Sequence, residues 1–406
     1  MRTTALGGKL FLSVSVIVLA AWAIQAGPGQ GFHSGPWMIS PYVNESATYD
    51  SNIEQASQDA ESGWFMNSEA GLRAGYSAYM IDATALGYGG YRNYADETRD
   101  NFGFYGESAS LKYGLRERLQ VQADEYYHHV SDIDTHGSEM SIGGISPDSV
   151  MDVAARAKRN LCHVGLSAGR DMSDKVQLDA GYRYDSARYD EADLADLNGH
   201  VGQLEGAYKI TEKSAAFATL FGGAQKNSVV AGAADYYGTR LGGETRGTDK
   251  ISLKAGAGVE QYNRPSGSAG DNKTAFNFDV TANWVVTDKI RLHAGGLNGT
   301  SMSSVLPNNA SDYTAVWAGA VYRVIPTVGL SLDGIYRIDD YLDPVTVAGG
   351  GSVDRKDKGT ALSARADYQT PAAFLDLYAQ ASYESTDSNI SDYNETRVTV
   401  GVDVKY

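Results

Sequence analysis

The chain has 406 residues, a formal charge of −16, 46 glycines, 27 tyrosines and one cysteine. The acidic balance argues against nucleic acid, whose phosphates reward Lys and Arg, and Cys162 alone permits neither an internal disulfide nor a cysteine metal cluster. A soluble chain of this length would divide into two or more domains with helical periods in at least one of them, yet almost no such period is found.

The N-terminus sets the compartment. Arg2 and Lys9 form a charged start, Leu10 to Ala20 is an apolar run, and Ala21-Trp22-Ala23 or Ala26 offers a small-residue cleavage site. The run is shorter than the ~20 residues of a spanning helix, so residues 1–26 read as a signal peptide rather than an anchor. Residues 27–36 then form a short periplasmic segment, too short for a plug, and 37–406 a single outer-membrane unit.

That unit alternates with period two. Phe276, Phe278, Val280, Ala282 and Trp284 oppose Asn277, Asp279, Thr281 and Asn283, and Val176, Leu178, Ala180, Tyr182 and Tyr184 oppose Gln177, Asp179, Arg183 and Asp185. The same alternation recurs at 251–260, 290–294, 328–337 and 375–383. Strands are expected over 37–50, 63–77, 80–94, 101–114, 118–131, 157–170, 175–187, 199–210, 214–226, 233–243, 250–262, 273–286, 289–300, 312–325, 328–341, 357–369, 373–386 and 393–406. Of the prolines beyond residue 40, only Pro41 falls inside a strand.

Punctuation between strands is asymmetric. Ser173-Asp174-Lys175, Thr211-Glu212-Lys213, Thr248-Asp249-Lys250 and Thr287-Asp288-Lys289 recur about 38 residues apart, the length of two strands with one tight turn and one longer loop. Stretches rich in Gly, Ser, Asn, Asp and Pro, such as 189–198, 264–272 and 303–312, read as the longer loops. A soluble sandwich also alternates, but here Ala and Gly pad a weakly apolar face and aromatics sit near segment ends, which favours lipid. The expectation is an all-β transmembrane antiparallel up-and-down barrel of about eighteen strands, with both termini periplasmic. The last strand puts Val398, Val400, Val402, Val404 and Tyr406 on one face, and Tyr406 is the expected assembly signal for the barrel-assembly machinery.

Tyr49-Asp50-Ser51-Asn52-Ile53, Asp387-Ser388-Asn389-Ile390 and the Arg-Tyr-Asp recurrences at 183–185 and 188–190 resemble the β-barrel porin type 2 family. The likeness covers nearly all of residues 37–406. It implies a passive channel for secretion of exopolysaccharide across the outer membrane, working with a periplasmic polysaccharide export protein. The two Asp-Ser-Asn segments are expected close together at the outer rim, as turn chemistry in which side chains bond their own backbone.

No Gly-x-Ser-x-Gly, His-Glu-x-x-His or phosphate-binding loop occurs, and adjacent His128 and His129 point to opposite faces of a strand, so no enzyme, cofactor or metal is expected. The polar faces nominate the lumen: Asp124, Asp179, Arg183, Asp185, Lys254, Glu260, Asp279, Arg291, His293, Asp333, Arg337, Arg365, Asp376, Arg397, Asp403 and Lys405, with Gln120, Gln122, Tyr126, Asp367 and Tyr378 beside them. Acids and bases alternate there, so neither an anion nor a cation ladder is drawn; they either brace the wall or offer a sliding polymer exchangeable hydrogen bonds. A diffusion porin for small hydrophilic solutes is the alternative function. A surface receptor would require the loop from Ser131 to Arg156 to seal the lumen. Outer-membrane lipid and lipopolysaccharide are the surrounding partners.

Overall fold

The computed structural model describes residues 31–95, 99–114, 118–130, 157–190, 194–229, 232–265, 272–302, 310–346, 351–390 and 392–405. The expected signal peptide, the assembly signal at Tyr406 and the loop from 131 to 156 lie outside the described residues.

The chain forms β1 (Phe32–Ser34), β2 (Trp37–Asp50), β3 (Gly63–Ser77), β4 (Ile81–Tyr94), β5 (Phe102–Tyr113), β6 (Leu119–Val130) and β7 (Arg159–Asp171). It continues with β8 (Val176–Tyr189), β9 (Leu197–Thr211), β10 (Ser214–Asn227), β11 (Ala234–Thr248), β12 (Ile251–Asn263), β13 (Lys273–Val285) and β14 (Ile290–Met302). The last are β15 (Ala310–Ile325), β16 (Val328–Tyr341), β17 (Val345–Thr346), β18 (Ser352–Val353), β19 (Lys356–Gln369), β20 (Leu375–Ser388) and β21 (Tyr393–Lys405). Eighteen of these, β2 to β16 and β19 to β21, pair antiparallel with their chain neighbours, and β21 returns to β2. The sheet is therefore closed and presents no free edge at its seam. No helix among the described residues is long and apolar enough to cross a membrane.

Each of the eighteen expected strands is present, with small shifts at the ends. The largest shift is in β11, which runs to Thr248 where the apolar alternation stops at 243. Its polar end is held by partners instead: Glu244 pairs with Lys254, and Ser214 and Thr245 share a hydroxyl hydrogen bond at 2.9 Å. β1 and the β17–β18 hairpin were not foreseen. β1 folds back on β2 through Gly35, whose φ of +60° suits glycine, and pairs Phe32 with Ile39. It occupies the edge of β2 below Tyr42, where the β21 pairing ends at Lys405.

The tight turns explain the repeated triplets. The hydroxyls of Thr211, Thr248 and Thr287 accept the backbone N–H of Lys213, Lys250 and Lys289 at 3.1–3.2 Å, and Ser173 accepts that of Val176 at 3.1 Å. The hydroxyl replaces a backbone acceptor and stops the strand. The connections at the opposite end are longer.

Because paired residues share a face, the register carries one alternation around the whole wall. One face bears the exposed apolar row, including Trp64, Leu72, Leu166, Leu204, Leu241, Phe276, Leu332 and Val400. The other holds buried charges, among them Asp50, Glu260, Asp333, Arg337 and Arg397. Apolar outside and polar inside is the inverse of a soluble protein and matches a wall set in lipid.

Candidate functional site: the inner wall

The candidate site is the polar face of the closed sheet. The register puts all sixteen nominated positions on it: Asp124 pairs with Gly165, Asp179 with Gly169, Arg183 with Gly165, Lys254 with Thr281, Glu260 with Ala275, and Asp279 with Gly256. Continuing around, Arg291 pairs with Val321, His293 with Gly319, Asp333 with Ser363, Arg365 with Gln380, Asp376 with Asp403, and Arg397 with Asp50.

Most of these charges meet a counter-charge rather than open solvent. His163 lies between Asp185, 2.7 Å from its Nδ1, and Asp124, 2.9 Å from its Nε2, with Arg183 2.7 Å from Asp185. Lys254 on β12 reaches Glu205 on β9 at 2.9 Å, across the two intervening strands. Lys405 joins Asp376 at 2.9 Å and Asp403 at 3.2 Å. His293 and Asp333 approach to 3.0 Å, in space left by Gly319, but are not aligned as a hydrogen bond. Asp179 accepts a bond from Gln177 at 3.2 Å.

One device recurs. An Arg and an Asp two residues later share a face, and the guanidinium folds onto the carboxylate: Arg337 on Asp339 at 2.8 Å, Arg355 on Asp357 at 2.7 Å, and Arg365 on Asp367 at 2.8 Å. Each guanidinium also lies over a ring, Tyr313, Tyr341 and Tyr378 respectively, at 4.4, 4.7 and 4.1 Å from the centroid. Arg183 meets Asp185 with the same two-residue spacing, which gives the first Arg-Tyr-Asp occurrence a physical role. Pairing matters because an uncompensated charge in the wall would cost several kcal/mol.

Aromatic rings are the second component; of those on the inner face, sequence reasoning named Tyr126 and Tyr378 and missed the others. Tyr42, Phe104, Phe221, Phe217, Trp317 and Tyr378 lie on the inner face, each directly opposite a glycine: Gly71, Gly90, Gly238, Gly242, Gly295 and Gly401. A Cβ on any of these glycines would fall 2.2–2.5 Å from the ring. The sequence pattern placed the padding glycines on the apolar face; these six instead let rings lie flat against the inner wall. Tyr42, Phe65, Tyr88, Tyr94, Phe102 and Phe104 form one buried cluster, with Arg92 over Phe65 at 4.2 Å.

What covers that cluster is the β2–β3 connection, which turns inward. Ile53, 1 % exposed, packs into it. The turn is built by Asn52, whose N–H donates to Asp50 at 2.9 Å, whose side-chain oxygen accepts from Ala56 at 2.9 Å and whose amide donates to the Asn394 carbonyl at 3.1 Å. The first Asp-Ser-Asn segment thus performs the expected turn chemistry. In the second, Asn389 donates to the Asp354 carbonyl and Ser388 accepts from Ile390. Across the mouth a second cluster joins Leu197, Ala234, Tyr236, Tyr262, Ala310 and Leu342, and Arg264 contacts Asp343. Apolar side chains therefore gather in two clusters at the long-loop end of the barrel.

The histidine pair behaves as its spacing requires. His128 meets the Tyr88 hydroxyl on the inner face at 2.7 Å, while His129 meets Asn160 on the other at 2.9 Å. Among the described residues no group of three or more His, Cys, Asp or Glu side chains is placed to hold a metal.

The family model described as "Putative beta-barrel porin 2" matches residues 26–406. The chain belongs to this family. Membership of a porin family makes it a channel rather than an enzyme, and an eighteen-strand porin barrel belongs in the outer membrane, surrounded by lipid and lipopolysaccharide. Among solved structures it is similar to the outer membrane protein OpdK from Pseudomonas aeruginosa, at 14 % identity and a TM-score of 0.43, covering 91 % of this chain and 99 % of that one. It is also similar to P. aeruginosa OccK2 (OpdF) in complex with glucuronate, at 14 % identity and a TM-score of 0.46, covering 93 % and 100 %. No curated protein matches the chain.

Proposed function

We propose that the barrel is a passive channel for small hydrophilic solutes, with its short turns and both ends of the chain on the periplasmic side and its longer loops outside. The observation that carries this reading is an enclosed wall whose charges are already paired and whose long-loop end carries apolar clusters around Ile53 and Tyr262. Paired acids and bases keep the wall wet and exchange hydrogen bonds with a passing solute without holding it. The sixteen inner-face residues are the pore lining in this reading. The overall charge of −16 adds a weak preference for cations at low salt.

Planar-bilayer recording tests the proposal. Reconstituted protein is expected to give stably open steps with modest cation selectivity and to exclude polymers. A channel that stays shut would overturn it, as would a deletion strain in which a secreted polysaccharide accumulates behind the outer membrane, which is the export function implied by the family resemblance.

A further inference from the structure

The barrel ladder is broken at one place. Among the described residues, fifteen of the seventeen other neighbouring pairs around the wall carry twelve or more partnered positions and the remaining two, β2–β21 and β5–β6, carry nine, whereas β13 and β14 carry seven, from Asp279–Leu297 to Val285–Arg291. Above that level the side chain of Asn298 takes over the backbone's role. Its Oδ1 accepts the Phe278 N–H at 2.6 Å and its Nδ2 donates to the Phe276 carbonyl at 2.7 Å, so a side chain stands where the next strand should be.

Two observations show that the wall is parted there. Lys273, on the inner-face alternation of β13, contacts Asp312, on the outer-face alternation of β15. The strands β10 and β14, four apart in the sheet, approach to within 8 Å between Cα atoms, so β14 sags inward. A cavity of about 370 Å³ fills the dent, and its lining comes from both faces of the sheet: Glu260, Asn277 and Tyr313 from the inner, Phe276, Thr314 and Asp340 from the outer. A lining of mixed parity accords with a sheet that is open at this point.

Asn277 indicates what the cavity lacks. It is 4 % exposed, and its amide nitrogen donates to the Asn298 carbonyl at 3.0 Å, but its Oδ1 has no partner. A buried acceptor left without a donor costs about 1–3 kcal/mol, which a bound donor would recover. Around it the carboxylates of Asp312 and Asp340 are paired with Lys273 and Lys356, and the buried carboxylate of Glu260 lines the same space, so the dent is rich in acceptors for hydroxyl donors. Phe276 supplies an apolar platform at one side.

We propose that this dent is a carbohydrate-binding site, taking a neutral, hydroxyl-rich sugar unit that donates to Asn277 and lies against Phe276. The volume is at the lower end of small-ligand sites and suits one or two sugar rings. The same chemistry is carried by a free saccharide and by the sugar headgroup of an outer-leaflet glycolipid. The second source rests on the orientation proposed above; the first does not, and neither requires the channel to conduct.

The test uses the full-length protein refolded in a detergent without a sugar headgroup. One arm titrates maltose calorimetrically, and the other measures lipopolysaccharide retained through purification. Wild type is expected to bind in at least one arm, and Asn277→Ala to weaken that binding at least tenfold while still migrating as a folded barrel. Binding of maltose alone identifies a soluble ligand, and retention of lipopolysaccharide alone identifies a headgroup; both support the site. No binding in either arm, or binding unchanged in Asn277→Ala, overturns it. A second measurement addresses the opening itself. In a Cys162→Ser background, Ala275→Cys with Ser301→Cys would be direct cross-strand partners if the β13–β14 register simply continued. The pair is expected to stay reduced and to react with a water-soluble thiol reagent, whereas a quantitative spontaneous disulfide would show a closed ladder and overturn the proposal.

Discussion

Arg397 is the side chain whose removal should injure the barrel most. It lies in β21, at the closure with β2, where it pairs in register with Asp50. Its Nε is 3.3 Å from Asp50 and also contacts Glu395, two residues earlier on the same strand. All three side chains are less than one-tenth exposed, and Asp50 also accepts the Asn52 N–H that starts the inward turn. Arg397→Met preserves much of the volume but leaves two carboxylates uncompensated. Breaking a buried pair from one side costs about 3–5 kcal/mol. Removing all three charges together, with Asp50→Asn, Glu395→Gln and Arg397→Met, leaves groups that still hydrogen-bond, and should return the protein to within about 1–2 kcal/mol of wild type. Equilibrium urea unfolding in detergent, followed by tryptophan fluorescence, measures both. A single variant that loses less than about 1 kcal/mol, or a triple variant no better than the single, refutes the argument that charge pairing rather than packing secures the closure.

Ile53→Ala should cost about 2–5 kcal/mol by emptying the pocket under the inward turn, and single-channel conductance should rise as the mouth widens; equal or lower conductance would show that Ile53 does not narrow the path. Gly242→Val places a side chain against the Phe217 ring, 2.4 Å from the position of its Cβ, and against the Ala255 carbonyl at 2.2 Å; a loss of about 1–3 kcal/mol or more is expected in the same unfolding assay. Thr287→Ala removes the hydroxyl that accepts from Lys289 and Ile290, and should lower stability by about 1 kcal/mol without changing conductance. Gly114→Ala forces a side chain into a backbone with φ of +80° and sets its Cβ 2.0 Å from the Leu119 carbonyl, so heat-modifiability on gels should be reached more slowly during refolding.

The wall itself was legible because a lipid-facing strand must alternate, and segments such as 276–284 do so without a charge on the apolar row. The tight turns were legible because a hydroxyl two residues before a lysine is chemically local. Aromatic placement was not. Phe65, Phe102, Phe104, Phe217 and Phe221 also recur at alternate positions, and period two says that a ring shares a face with its i+2 neighbour without saying which face is wet. The opposing glycine is the cue that resolves it, and it requires the register, which no single segment contains. The same limit hid the charge partners Glu205, Asp339 and Glu395, although Arg-x-Asp spacing was visible at 337–339, 355–357 and 365–367. Asn298 did leave a trace: it interrupts the outward row of Ile290, Leu292, Ala294 and Gly296 with an amide. Ile53 left none, since one apolar residue in a polar connection signals nothing about the direction in which the connection folds.

The little strand β1 has a bearing on how copies of the barrel stay separate. Its three residues cap the stretch of β2 that lies beyond the Tyr42–Lys405 pair with β21. Trimming the chain back to Trp37 would strip this cover and bare a run of backbone donors and acceptors on an otherwise seamless cylinder. Adhesion between neighbouring molecules would then start at that one spot, so truncated preparations should show ladders of higher-order species where the longer chain remains single.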